Sequence, residues 1–351
     1  MNLPFRARQV LTIARLELRR AFFSKRAFWV YLLAFFPALI FFGHVVEVRF
    51  KLQEQGGRMI APALIDSVTE AESVDAVRSR LGEPIREFHW KRRGEDHHRL
   101  QYSDGKRRAE FRFQNGELTS RNIRSVVNIE EDKKIFAAVF QYFYLRVAIF
   151  FGCLGIFMNL FRGEMLDKTL HFWMLIPAPR PVLLAGKYLA GLGAAIVIFS
   201  TGVTVCFVLV LAAQFPAEAQ AYWASAGPGH LARYVGAAAL ACAGYGSVFL
   251  AAGLLLRNPI VPAVVLLLWE GINGFLPAML QKLSVIYYVQ SLSPIPPPIE
   301  EDVPALARLL LAPAEPASPA LAVLGVLGVT ALVLWLASRA VSRLEINYSS
   351  D

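Results

Sequence analysis

Two ionisable side chains sit where charge is expensive. Arg146 lies in the apolar run that ends near Phe161, and Glu270 in the run that begins near Ile260, flanked by Trp269 and Asn273. A charge inside a bilayer costs roughly 3 kcal/mol on insertion scales, so each needs a partner or a watery cavity. From Arg162 back to Arg146 is 16 residues, roughly 24 Å, and from Arg257 to Glu270 is 13 residues, roughly 20 Å, at about 1.5 Å per residue. An offset of about 4 Å is within an arginine's reach, which predicts that the two groups pair or share one polar cavity. Such a pair either fixes helix packing or lines a path for a polar solute.

Other reactive residue types lack the settings their chemistry needs. Cys153, Cys206 and Cys242 all fall in apolar runs, where a thiol packs as a small buried group and has no positive neighbour to activate it. His89, His97 and His98 invite metal ligation, but they have no ligand-like spacing with cysteine or carboxylate, and two of them sit in the charged run KRRGEDHH. A solvated loop is the expectation there, with Lys91, Arg92 and Arg93 on a solvated face and no metal bound. The chain contains no GxxxxGK[ST], HExxH, CxxC or GxSxG pattern. It is expected not to be an enzyme, and to hold no cofactor itself.

The elements that position these groups are apolar helices. The chain has 351 residues, 56% of them hydrophobic and only 18% charged, an apolar fraction above that of soluble domains. Six segments reach spanning length, at about 27–47, 136–161, 183–213, 231–256, 260–283 and 319–338. The net charge of +9 does not point to nucleic acid. Seven basic residues precede residue 27, and Arg162, Lys168, Arg180 and Lys187 crowd the stretch between the second and third segments, while loops 214–230 and 284–318 hold only Arg308. By the positive-inside rule both termini and the 162–187 linker are cytoplasmic.

Residues 1–26 form a basic region whose Val10, Leu11, Ala14, Leu18, Ala21 and Phe22 fall on one helical face, with Arg8, Arg15 and Arg19 opposite or at its edge. This predicts an amphipathic helix at the lipid headgroups, followed by a retained first span over 27–47 with Pro37 near its middle. Residues 48–135 alternate charged and apolar residues and predict a small α+β domain outside the membrane. Ser67 and Glu70 suggest a capping box, Val74, Val77 and Leu81 a helical face ending at Gly82, and Leu100, Tyr102, Ala109, Phe111 and Phe113 an antiparallel meander turning at Asp104-Gly105 and Asn115-Gly116. Tyr142 and Tyr144 are expected near the outer interface. Residues 136–351 carry the remaining five spans, with glycines suited to close helix packing. Val285–Leu292 is expected as a short external helix within 284–318, a proline-rich stretch too broken to span.

Between the second and third spans, Leu166, Leu170, Trp173 and Met174 recur at helical spacing before Pro177, Pro179 and Pro181 break the backbone. The order Arg162-Gly-Glu164, Thr169-Leu170, Leu175-Ile-Pro177 and Gly186-Lys187 resembles the cytoplasmic linker of ABC-2 type transporter permeases, the membrane subunits of type V ABC exporters, with Lys168 where that family usually has glycine. The resemblance extends to the six spans and the basic N-terminal helix, and leaves out residues 48–135.

The resemblance implies a coupling helix at about 164–176 that docks on a separate ATPase. It gives Glu164, Asp167, Thr169, Leu170, Trp173, Pro177, Gly186 and Lys187 roles in that coupling, and Arg146, Trp269, Glu270 and Asn273 places along the central pathway lined by spans two and five. It also implies two copies of an ATP-binding subunit carrying ATP and Mg, a second permease subunit, identical or different, surrounding membrane lipids, no nucleic acid, and a bacterial cytoplasmic (inner) membrane. The alternative is a membrane-anchored sensor or assembly factor whose external domain binds a partner without moving a solute.

Overall fold

The computed structural model describes residues 4–23, 27–53, 59–69, 72–92, 94–166, 178–256, 260–273, 276–296 and 316–342. The chain divides into two compact units, one built from residues 1–39, 133–208 and 222–351, the other from 40–132 and 209–221.

The first unit is helical. It contains α1 (Phe5–Phe23) and the beginning of α2 (Ala27–Gln53), which runs through Pro37 without ending. The second span combines the last part of α5 (Ile129–Ala138), a ten-residue π-helix (Val139–Ala148) and α6 (Ile149–Phe157). α7 (Asn159–Leu166) leads toward the linker, and α8 (Arg180–Ala213) follows it. After α9 (Pro216–Ser225), most of which belongs to the second unit, the first unit continues with α10 (Gly227–Leu255), α11 (Ile260–Gly271), α12 (Ala278–Gln281), α13 (Val285–Gln290) and α14 (Pro319–Ser342).

Among the described residues, five helical segments are long and apolar enough to cross a membrane: Ala27–Gln53, Ile129–Phe161, Arg180–Ala213, Gly227–Leu255 and Pro319–Ser342. They fit a multi-pass membrane protein. The sixth expected span, 260–283, is not one helix. α11 is 12 residues, about 18 Å at 1.5 Å per residue and short of a hydrocarbon core of about 30 Å. The chain turns after Gly271 and restarts after Pro277 as the four-residue α12, as a helix interrupted by glycine and proline should.

α10 organises the bundle, packing on α6, α7, α13 and α14. Its Tyr234, Tyr245 and Phe249 meet Phe140 and Phe150 edge-on at centroid distances of 4.7–5.5 Å, the geometry the ring quadrupoles favour. Small residues let the backbones close. A Cβ placed on Gly202 would stand 2.5 Å from the Ala34 carbonyl oxygen. Tyr144 donates to that same carbonyl at 2.7 Å and is fully buried, whereas Tyr142 is half exposed. Cys153, Cys206 and Cys242 are buried without a disulfide.

The second unit holds an antiparallel sheet ordered β1 (Arg86–Arg92), β2 (Glu95–Ser103), β3 (Arg107–Gln114), β4 (Glu117–Ser125). Its core joins Leu100, Tyr102, Phe111 and Phe113 to Ile65 of α3 (Pro62–Asp66) and Val77 of α4 (Val74–Leu81). The turns form where expected. Asp104 accepts from Lys106 N and Arg107 N, while Asn115 and Gly116 both have positive φ, 52° and 90°, the two-residue hairpin conformation that Asn-Gly favours.

Two local expectations fail here. Ser67 ends α3, its hydroxyl donating to Leu64 O, and it is Ser73 that caps α4 by accepting from Ala76 N at 3.2 Å; Glu70 lies outside the described residues. The KRRGEDHH run is not a loop among the described residues, because Lys91 and Arg92 fall on β1 and Glu95 to His98 on β2, with Gly94 at positive φ between them; Arg93 lies outside the described residues. Their exposed, charged edge had masked the Phe88/Trp90 alternation.

Candidate functional site

The described residues gather charge at the place where α1, α7 and α8 meet. Lys187, near the start of α8, is fully buried, and its Nζ donates to Glu164 Oε1 at 2.8 Å and to Glu17 Oε1 at 3.0 Å. Arg20 adds an outer contact, 3.5 Å from Glu164 and 3.9 Å from Glu17. The Phe161 ring lies under the ammonium, 5.4 Å from Nζ to its centroid. A buried ammonium survives only if paired and hydrogen-bonded, and two carboxylates supply that.

The sequence builds this contact from helical periodicity. Ile13 and Glu17 are one helical turn apart, so both point to the same side of α1, and both are buried. Opposite them stand two consecutive residues of α8. A Cβ on Gly186 would lie 2.7 Å from both Ile13 Cβ and Cγ2 and 3.1 Å from Val10 O. Gly186 thus lets α1 lie against the α8 backbone, and Lys187 locks it there. Burial pushes the Glu164 carboxyl above its ordinary pKa, opposed by the neighbouring Lys187 charge.

Beside this cluster opens a cleft of about 690 Å³ whose wall combines Leu16, Val30 and Ile156 with Arg19, Arg20 and Asn159. It is amphipathic, as a site for a molecule with both a charged and an apolar part would be.

These positions revise the expected coupling set. Glu164, Gly186 and Lys187 come together, but facing α1, so their side chains are not an outward docking surface. Asp167, Thr169, Leu170, Trp173 and Pro177, with most of the expected helix over 164–176, lie outside the described residues. Glu17 was not singled out from the sequence. The available signal was that it is the sole acidic residue before Glu47 in an otherwise basic stretch.

Arg146 and Glu270 do not form an ion pair. Glu270 is buried, but Oε1 accepts from Val285 N at 3.1 Å, and Oε2 accepts from Ser284 Oγ at 2.5 Å and Ile286 N at 3.1 Å. It caps the short buried α13. Arg146 sits in the π-helix with its guanidinium 5.4 Å from the Tyr142 ring centroid, and its Nε has no hydrogen-bond partner among the described residues. The buried Tyr245 hydroxyl lies within electrostatic reach of both groups, so one polar neighbourhood holds them without a bond between them.

The physical reason is the break after Gly271. It brings Ser284 back beside the last turn of α11, where the unpaired N–H groups of a helix start attract the nearest carboxylate. Asn273 supports the same reversal by donating to Gln281 O at 3.2 Å, while Trp269 is half-buried. Arg146 lies in the π-helix, a rare element that tends to occur at functional positions.

Comparison with family models, with curated proteins and with solved structures finds no match to this chain.

Proposed function

We propose that this chain is the membrane-spanning permease subunit of an ATP-driven ABC exporter of the ABC-2 type, moving a substrate across a bacterial cytoplasmic membrane with ATP hydrolysed on a separate subunit. The observation that carries the reading is the buried Glu17–Lys187–Glu164 cluster. It ties together the helix leading into the linker, the helix leaving it and the N-terminal helix. A push on a linker mounted this way moves three helices at once, where a loosely hinged loop would absorb it. The linker's own residue order, with Thr169-Leu170, Trp173 and Pro177, supplies the docking face in this reading. Glu164, Gly186 and Lys187 act behind it by holding the mount rigid.

The orientation proposed with it puts both termini and the linker in the cytoplasm and residues 48–135 outside, following the distribution of basic residues. Arg146, with Tyr245 beside it, is the candidate pathway charge. Two such chains with two ATP-binding subunits make the working assembly.

The test is copurification in mild detergent from the source membrane. An ATP-binding subunit is expected to accompany the chain in equal number. Trp173→Ala should weaken that association, or uncouple hydrolysis from transport, while leaving insertion intact. A chain that inserts and purifies in stable form with no ATP-binding protein at any stage refutes the reading and favours the anchored sensor.

A further inference from the structure

We propose that the β1–β2 hairpin carries a binding site for a divalent transition metal, with zinc the ion its donors favour, formed by His89, Asp96 and His98. The register brings the donors together. His89 on β1 pairs directly with His98 on β2, and Asp96 pairs with Lys91. Because side chains two apart in a strand share a face, His89, Asp96 and His98 all project from one side of the sheet.

Their ligating atoms, one per residue, all lie within 4.8 Å of one another. His89 Nε2 and Asp96 Oδ1 are 2.6 Å apart, and the imidazoles of His89 and His98 stack at 4.0 Å between centroids. Metal–ligand bonds of about 2.0–2.2 Å require donors roughly 3.4 Å apart in a tetrahedron. Reaching that from the present arrangement takes side-chain rotation of about an ångström, which opens the His89–Asp96 hydrogen bond and tilts the rings apart.

The surroundings distinguish this cluster from an ordinary surface ion pair. It lies on the face of the sheet that carries the core, since His98 is flanked along β2 by Leu100 and across β3 by Phe113, both buried. One side of the site is therefore apolar, and the other opens to solvent. His98 Nδ1 is buried and has no hydrogen-bond partner among the described residues. Glu87 stands behind it, 3.8 Å from that nitrogen and already held by Arg78, where it can orient the ring as outer carboxylates do around metal-bound histidines.

Two imidazoles and a carboxylate leave one tetrahedral position open. The site is thus suited to an exchangeable ion or to one that also takes a ligand from a partner, and it would clasp the exposed edge strand β1 to β2. Lys91 works against this by facing Asp96, so the affinity expected is moderate.

The inference does not depend on transport and fails separately from it. The experiment is zinc titration of the full-length protein in detergent, purified without a histidine tag, against a chromophoric chelator. One zinc per chain with a Kd below about 10 μM is expected at neutral pH. Affinity should fall in acid, because protons compete for the donors.

His98→Ala and His89→Ala should each weaken binding by about 100-fold, the upper range for losing even an outer partner of a ligand. His97→Ala, on the opposite face of β2, should leave it unchanged. Cobalt in place of zinc should give the absorption of a low-symmetry four- or five-coordinate ion. Absence of saturable binding up to about 100 μM overturns the assignment. So does equal binding by the His89→Ala/His98→Ala double variant, or loss of binding in His97→Ala.

Discussion

Replacing Lys187 with methionine removes the cation that holds Glu17 and Glu164 together while keeping a side chain of similar length. Both carboxylate oxygens lie within 3.0 Å of Lys187 Nζ, so they are at most about 6 Å apart, and at an effective dielectric of about 20 their repulsion is about 3 kcal/mol. That agrees with the roughly 3–5 kcal/mol measured when one member of a buried ion pair is deleted. At about 1.36 kcal/mol per decade, α1 should detach from α8 between roughly 10²- and 10⁴-fold more often. Hydrogen exchange of the α1 amides in nanodiscs reads this directly, with the α10 amides as internal control.

The loss should be smaller in acid. The Glu164 carboxyl is raised by its burial, against the Lys187 charge that lowers it. A group raised on folding contributes stability that is complete below its unfolded value, near about 4.3, and fades as pH rises through the folded value. Without Lys187 the folded value rises further, so docking in the variant should recover as pH falls. Neutralising the whole cluster by Glu17→Gln, Glu164→Gln and Lys187→Met should restore most of the wild-type protection, since buried ion pairs replaced as a set cost little. Exchange within tenfold of wild type in Lys187→Met, or a triple variant no better than the single one, refutes this account of the helix junction.

Gly186→Val should open α1 with the cluster intact, because the new side chain strikes Ile13; Ile13→Ala should recover part of the exchange protection. Glu270→Ala should cost about 1–2 kcal/mol in detergent unfolding by stripping the cap from α13, and a double-mutant cycle with Arg146→Gln should show coupling below about 0.5 kcal/mol. Exchanging the two charges should then restore nothing, and recovery in that swap would reinstate a direct pair. Tyr102 is buried, its hydroxyl donating to Gly82 O, and burial pushes its pKa up to about 12. The sheet domain should therefore lose stability between about pH 10, the ordinary tyrosine value, and pH 12, and thermal melts of Tyr102→Phe should lack that step.

Elements whose causes are local were legible in the order of residues. The turns at Asp104-Gly105 and Asn115-Gly116, the helix ending at Gly82 and the meander about Leu100 and Phe111 depend on residues within a few positions of one another, and alternation at period two or 3.6 exposes them. Five of the spanning helices were legible for the same reason, since length and apolarity alone license them. The 260–283 segment reads as one helix because hydropathy averages over Gly271 and Pro277, whereas the backbone breaks at single residues.

Which charges meet depends on how distant helices and strands pack. Glu17 and Lys187 are 170 positions apart, and nothing local in either neighbourhood names the other; a glycine that lets two helices touch does. Arg146 and Glu270 looked matched by depth, but depth is one coordinate of three. The direction in which α11 turns back gave Glu270 to the N–H groups of α13. His89 and His98 are nine positions apart, and only His98 belongs to the charged run KRRGEDHH. They are neighbours because β1 and β2 pair in a register that sets His89 opposite His98, and register, unlike composition, fixes which side chains face each other.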